Sequence, residues 1–147
     1  MMMPNTTLLL TKDPSHPLAF LALRYARAYL SNQSRYLVNT EVDSDIRDAN
    51  LPPLKCFFYA DAANIANRFR WQSADQMNLT KAWQNLAQEF NLVLPVCVST
   101  ALSRGISDAD NSVRHQLNGD NLAAGFHLVG LSELAMMMQN NGRLIQF

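Results

Sequence analysis

The sequence predicts a single α/β domain, a mainly parallel sheet of about five strands flanked by helices, and three observations carry that expectation. The chain has 147 residues, enough for one domain over 1–147. Hydrophobic residues make up 48% and charged residues 16%, which supplies a core and excludes general disorder. Short apolar runs alternate with stretches of helical periodicity, the pattern of βαβ units joined by right-handed crossovers.

Thr6 to Thr11 is a compact apolar run that predicts a strand buried on both faces. Lys12 to Pro17, with two prolines, is a loop. Leu18, Leu21, Ala22, Tyr25 and Tyr29 then share one helical stripe, and the helix closes at Leu30 before the polar stretch Ser31 to Ser34. From Arg35 to Pro53 the pattern is weakest. Tyr36-Leu37-Val38 suggests a short strand, Glu41, Asp43, Asp45 and Asp48 a solvated acidic loop, and Pro52-Pro53 its end.

Lys55 to Ala60 is an aromatic-rich core strand. Asp61 to Gln76 is a short helix or an ordered loop. Trp83, Leu86, Ala87 and Phe90 recur at i, i+3, i+4 and i+7, which predicts a helix over Leu79 to Phe90. Asn91 to Val98 is a third strand, where Pro95 implies an edge position or a bend because proline donates no ladder hydrogen bond. Ser99 and Thr100 are capping types before a short helix, Ala101 to Arg104, that stops at Gly105. Ser107 to Asn121 is polar, with a turn at Gly119-Asp120-Asn121. Phe126 to Gly130 is a fourth strand. Leu131, Leu134, Ala135 and Met138 form a further helical stripe, Asn141-Gly142 stops it, and Arg143 to Phe147 is the last strand. This succession is of flavodoxin-like type.

Composition narrows the function. Twelve Lys plus Arg balance twelve Asp plus Glu, whereas direct nucleic-acid binders carry a basic excess. No apolar run is long enough to span a membrane, and Leu8-Leu9-Leu10 is too short for a secretory signal, so a cytoplasmic protein is expected. Two cysteines, Cys56 and Cys97, also fit a reducing compartment. No metal-ligand spacing, glycine-rich phosphate loop or G-x-S-x-G elbow is present, and no cofactor is expected.

Open α/β sheets bind ligands at the carboxyl ends of their strands. Cys97 ends the third strand just before a helix start, where unpaired N–H groups favour thiolate and so make a candidate nucleophile. A buried, inert Cys97 is the alternative. Arg104 is a further source of positive charge. Cys56, ahead of Phe57-Phe58-Tyr59, reads as core packing, and a disulfide between the two is not expected. His16 falls in the loop at the same sheet edge as Cys97, while His115 and His127 read as structural or solvated. Met136-Met137-Met138 cannot all face the core, so at least one is exposed, either as an ordinary surface methionine or as a soft contact for a protein partner.

Several segments, in order and at compatible spacing, resemble the sulfur-relay subunits of the DsrE family. They are Phe57-Phe58-Tyr59 with Asn64 to Asn67, Lys81-Ala82-Trp83-Gln84, Val96-Cys97-Val98, Ala101 to Gly105, Asn121 to Phe126, Gly130-Leu131 through Leu134-Ala135, and Arg143 to Phe147. The resemblance implies a flavodoxin-like subunit in which Cys97 carries sulfur as a persulfide. It also implies assembly with TusB-like and TusC-like subunits, a TusA-like sulfur donor, a TusE-like acceptor, and a final use in tRNA wobble 2-thiouridine without direct tRNA binding. Two departures stand out: the connection over 31–53 is longer than the family's link, and Lys12 to Pro17 lacks its glycine. The same chemistry in dissimilatory sulfur oxidation, a non-catalytic assembly subunit and a thiol redox sensor are the competing functions.

Overall fold

The computed structural model describes residues 5–39, 54–139 and 142–147. Five strands, β1 (Thr6–Leu10), β2 (Leu54–Phe58), β3 (Leu94–Cys97), β4 (Phe126–Val129) and β5 (Arg143–Gln146), form one sheet in the order β4-β3-β2-β1-β5. Every pairing is parallel. The order matches the flavodoxin pattern of an edge strand beside β1 and three ascending strands on its other side; here the last strand supplies that edge. The chain end is tied to β1, since Phe147 N–H donates to Leu9 O and both Thr11 N–H and Thr11 Oγ1 donate to Phe147 O.

Helix α1 (Pro17–Asn39) corrects the expected stop at Leu30 and the strand at Tyr36-Leu37-Val38, because the backbone there is helical throughout. No glycine or proline interrupts 18–39, and Ser, Asn and Gln cost a helix only tenths of a kcal/mol each. The buried stripe also differs. Ala19, Ala22, Leu23, Ala26 and Leu30 face the sheet, Tyr25 and Tyr29 pack at its border, and Leu21 is exposed. Three alanines bring the helix backbone close to the sheet, which the larger side chains obscured as a pattern. The acidic group Glu41, Asp43, Asp45 and Asp48, with Pro52-Pro53, lies outside the described residues.

A 310 helix (Ala60–Ala66) resolves the Asp61 to Gln76 segment, and helix α2 (Leu79–Phe90) has the expected bounds. Asn78 Oδ1 accepts Lys81 N–H at 3.1 Å at its start, and Asn91 takes a left-handed conformation (φ 53°) at its end. Trp83 is fully buried and meets Phe58 edge-on at 5.2 Å; its indole N–H has no hydrogen-bond partner. Pro95 is in an inner strand, opposite His127 of β4, which corrects the edge position. β3 pairs with β2 through Phe58 and Val96 alone, so few ladder bonds are there for a missing donor to break.

Helices α3 (Val98–Leu102), α4 (Ala109–Arg114) and α5 (Ser132–Met138) complete the fold. α4 was not expected within the polar stretch; its signal is Asp108, whose carboxylate caps it by accepting Asn111 N–H at 2.9 Å. The stripe expected on α5 is not a core stripe. No residue of α5 is buried, and Leu131, Met136 and Met138 are all at least half exposed. Among the described residues no helix is long and apolar enough to cross a membrane.

Candidate functional site

At the carboxyl edge of the sheet, β1, β2 and β3 deliver a chain of polar side chains. The turn after β1 holds Asp13, whose Oδ1 accepts Ser15 N–H at 2.9 Å and Ser15 Oγ at 2.6 Å. Asn64 of the 310 helix donates to its other oxygen at 3.4 Å. Burial raises the Asp13 carboxyl, but the Ser15 and Asn64 hydrogen bonds and the Arg70 charge outweigh it and leave it below the ordinary carboxylate value. This turn forms without glycine, by an Asp side chain bonding its own backbone two residues on.

Further along the edge, Arg104 reaches back from the end of α3. Its Nε and one terminal nitrogen donate to Asp61 Oδ1 at 3.2 and 2.9 Å, and the other donates to Thr100 O at 3.1 Å. The guanidinium is thus paired and caps α3, which corrects the expectation of free positive charge beside Cys97. His16 likewise serves its own helix: its Nδ1 accepts Leu18 N–H at 3.0 Å. His115 ends α4, and His127 on β4 is held below the ordinary imidazole value by burial, only partly offset by Glu133.

Cys97 ends β3 and is itself the N-cap of α3, two residues before Ser99, so the helix runs Val98–Leu102 and corrects the expected Ala101 to Arg104. Its sulfur lies 3.5 Å from Ser99 Oγ, and Thr100 Oγ1 donates to the Cys97 carbonyl at 3.2 Å. Burial pushes the thiol up, yet the Ser99 hydroxyl, the Thr100 amide and hydroxyl, and the Ser99 amide together bring it below the ordinary thiol value. Neither amide closes a conventional cap bond to the neutral thiol, so their effect is on the anion. The residue is only 1% exposed. The side chain is therefore shielded from solvent in this structure.

Cys56 is the contrast. It sits in mid-strand, paired with Leu8, fully inside the core, and burial alone drives its thiol far above the ordinary range. Both cysteines are free. Among the described residues no group of His, Cys, Asp and Glu is arranged to hold a metal. The reach of Ser99 to the sulfur and the Asp61–Arg104 pair were not anticipated. The first had a signal in the side-chain oxygen two residues beyond Cys97; the second joins residues 43 apart in sequence and had none.

Fold and site together define an open parallel α/β domain with a cysteine at its carboxyl edge whose thiol is held below the ordinary value by its own loop. The DsrE/DsrF-like family profile matches residues 5–147, and the chain belongs to that family. Within it the chain is of the TusD type. It is 42% identical over 91 residues to the sulfurtransferase TusD homolog of Vibrio parahaemolyticus, a span of 62% of this chain and 70% of the relative. Over spans of the same length it is 40% identical to the sulfurtransferase TusD of Sodalis glossinidius and 41% to that of Pectobacterium carotovorum. The crystal structure of the ychN protein from E. coli matches with a TM-score of 0.68, covering 99% of this chain and 100% of that one; at 18% identity it speaks for the fold alone.

Proposed function

We propose that the chain is a sulfurtransferase subunit that carries sulfane sulfur on Cys97. The observation that carries this is the Cys97 sulfur at the end of β3, held below the ordinary thiol value by donors of its own loop, in a chain whose relatives bear the name sulfurtransferase. The Cys97 thiolate attacks the outer sulfur of a donor persulfide, that S–S bond breaks, and the donor departs as thiolate. An acceptor thiolate then takes the outer sulfur from Cys97, which leaves as thiolate in turn. No net oxidation occurs, so neither half needs an electron carrier.

Shielding suits this cargo, because a persulfide open to solvent thiols would be discharged before delivery. The cover over Cys97 opens on a docked donor or acceptor. These are a TusA-like donor and a TusE-like acceptor, with TusB-like and TusC-like subunits completing a cytoplasmic hetero-oligomer. The sulfur ends in tRNA wobble 2-thiouridine. Zero net charge accords with passing it to proteins while another enzyme handles the tRNA.

The test is incubation of the complex with a labelled persulfide donor, followed by mass analysis of each cysteine. One added sulfur is expected at Cys97, none in Cys97→Ser, and wild-type loading in Cys56→Ser. Loading that persists in Cys97→Ser overturns the proposal.

A further inference from the structure

Two hydroxyl groups flank Cys97, and they are used differently. Thr100 Oγ1 donates to the Cys97 carbonyl oxygen at 3.2 Å and so braces the strand-to-helix turn, while its hydroxyl contributes, behind that of Ser99, to lowering the Cys97 thiol. Ser99 Oγ has the Cys97 sulfur at 3.5 Å. Ser99 is exposed while Cys97 is 1% exposed, so this hydroxyl is where solvent-facing surface meets the sulfur.

Resting on the sulfur-carrier function above, we infer that Ser99 is a positioning residue, which holds Cys97 in its attacking form and receives charge on its sulfur when it leaves. With a neutral thiol either partner can donate. Once the proton is lost the sulfur only accepts, so the hydroxyl hydrogen turns toward it and the bond becomes charge-assisted, about twice as strong as a neutral one. The same bond forms again when the acceptor thiolate takes the outer sulfur, the S–S bond breaks and its electron pair stays on Cys97 Sγ. Ser99 thus favours the anion in both half-reactions.

The charged groups on the elements packed around β3 do not supply this role. Asp61 on the 310 helix and Arg104 beyond α3 neutralise one another at 2.9 Å. Lys55 lies near the start of β2, away from its carboxyl end, and His127 stands opposite Pro95 on β4. Burial and hydrogen bonds come ahead of any of these charges at Cys97.

The test titrates the Cys97 thiolate by its ultraviolet absorbance in the full chain, with Cys97→Ala as blank, and follows iodoacetamide alkylation across the same pH range. Ser99→Ala should move the midpoint to higher pH and slow alkylation at neutral pH by roughly three- to tenfold, the effect of one modest hydrogen bond. Ser99→Thr should restore both, whereas Ser99→Val, of the same shape without a hydroxyl, should behave as Ser99→Ala. A midpoint unchanged in Ser99→Ala and equal in the Thr and Val variants overturns the inference. Absence of sulfur loading on wild-type Cys97 would instead sink the carrier function and leave the titration result standing.

Discussion

At the scale of single residues, the two cysteines differ in environment, and the difference has a sign. Cys97 is lowered in the folded chain, so it favours the native state above the unfolded thiol value, and that contribution fades as pH falls through the folded value. Cys56 runs the other way. Near its ordinary value of 9.0 the unfolded thiol ionises while the buried one stays protonated. The native state then binds more protons than the unfolded state, so stability falls with rising pH, by about 1.4 kcal/mol per pH unit for one such thiol. Urea unfolding of wild type and Cys56→Val from neutral pH to above pH ~9 should show a shallower alkaline loss in the variant. Equal slopes would mean that Cys56 is ionisable in the fold. Position at the end of β3 made Cys97 a candidate from the sequence, with an inert core cysteine as the alternative, and the structure places it at that strand end. The Ser99 contact was not legible in the sequence, because a side-chain oxygen two residues after a cysteine faces the sulfur only once the turn is fixed.

At the scale of elements, Trp83 joins α2 to the sheet through its edge-on contact with Phe58. Trp83→Ala should cost about 3–5 kcal/mol in denaturant unfolding, the range for emptying a large aromatic site. Trp83→Phe should cost clearly less, since it keeps a ring against Phe58 and deletes an N–H buried without a partner, itself a penalty of about 1–3 kcal/mol. Gly142 has a different task. A Cβ there would sit 2.6 Å from the Asn5 carbonyl oxygen, so only glycine lets the start of β5 pass the strand beside it. Gly142→Ala should loosen β5 from β1, read as faster amide exchange at Arg143 and Phe147, whose N–H groups donate to Asn5 O and Leu9 O, with α2 unchanged. Elements with a strong single periodicity, such as α2 and the five strands, were legible in the sequence. α1 was under-read because alanines carry its buried stripe and weak helix formers mimic a stop. Pro95 was misplaced because a proline rule about edges gives way where the neighbouring ladder is already short. α4 hid in a polar stretch because one capping aspartate sets it.

For the whole molecule, the exposed apolar surface is uneven. At α5 Leu131, Met136 and Met138 stand in solvent, and the edge strand β5 has three of its four residues exposed. A monomer rarely leaves such a set open, and soft methionines suit a protein partner. If the chain works in a hetero-oligomer, the α5 surface offers neighbouring subunits apolar contact, and no α5 side chain is buried in the core. Met136→Glu with Met138→Glu should therefore leave the melting temperature and the Cys97 titration as in wild type. The same variant should fail to co-purify with the TusB-like and TusC-like subunits, because each carboxylate would have to be desolvated on assembly. Sulfur loading from a small persulfide donor should survive, while delivery to the TusE-like acceptor is lost with the complex. A double variant that still assembles and delivers would move the interface to another face. Phe69 and Trp71 after the 310 helix, at 70% and 82% exposed and with the Arg68 guanidinium stacked 4.9 Å over Phe69, are more exposed still and are the alternative face.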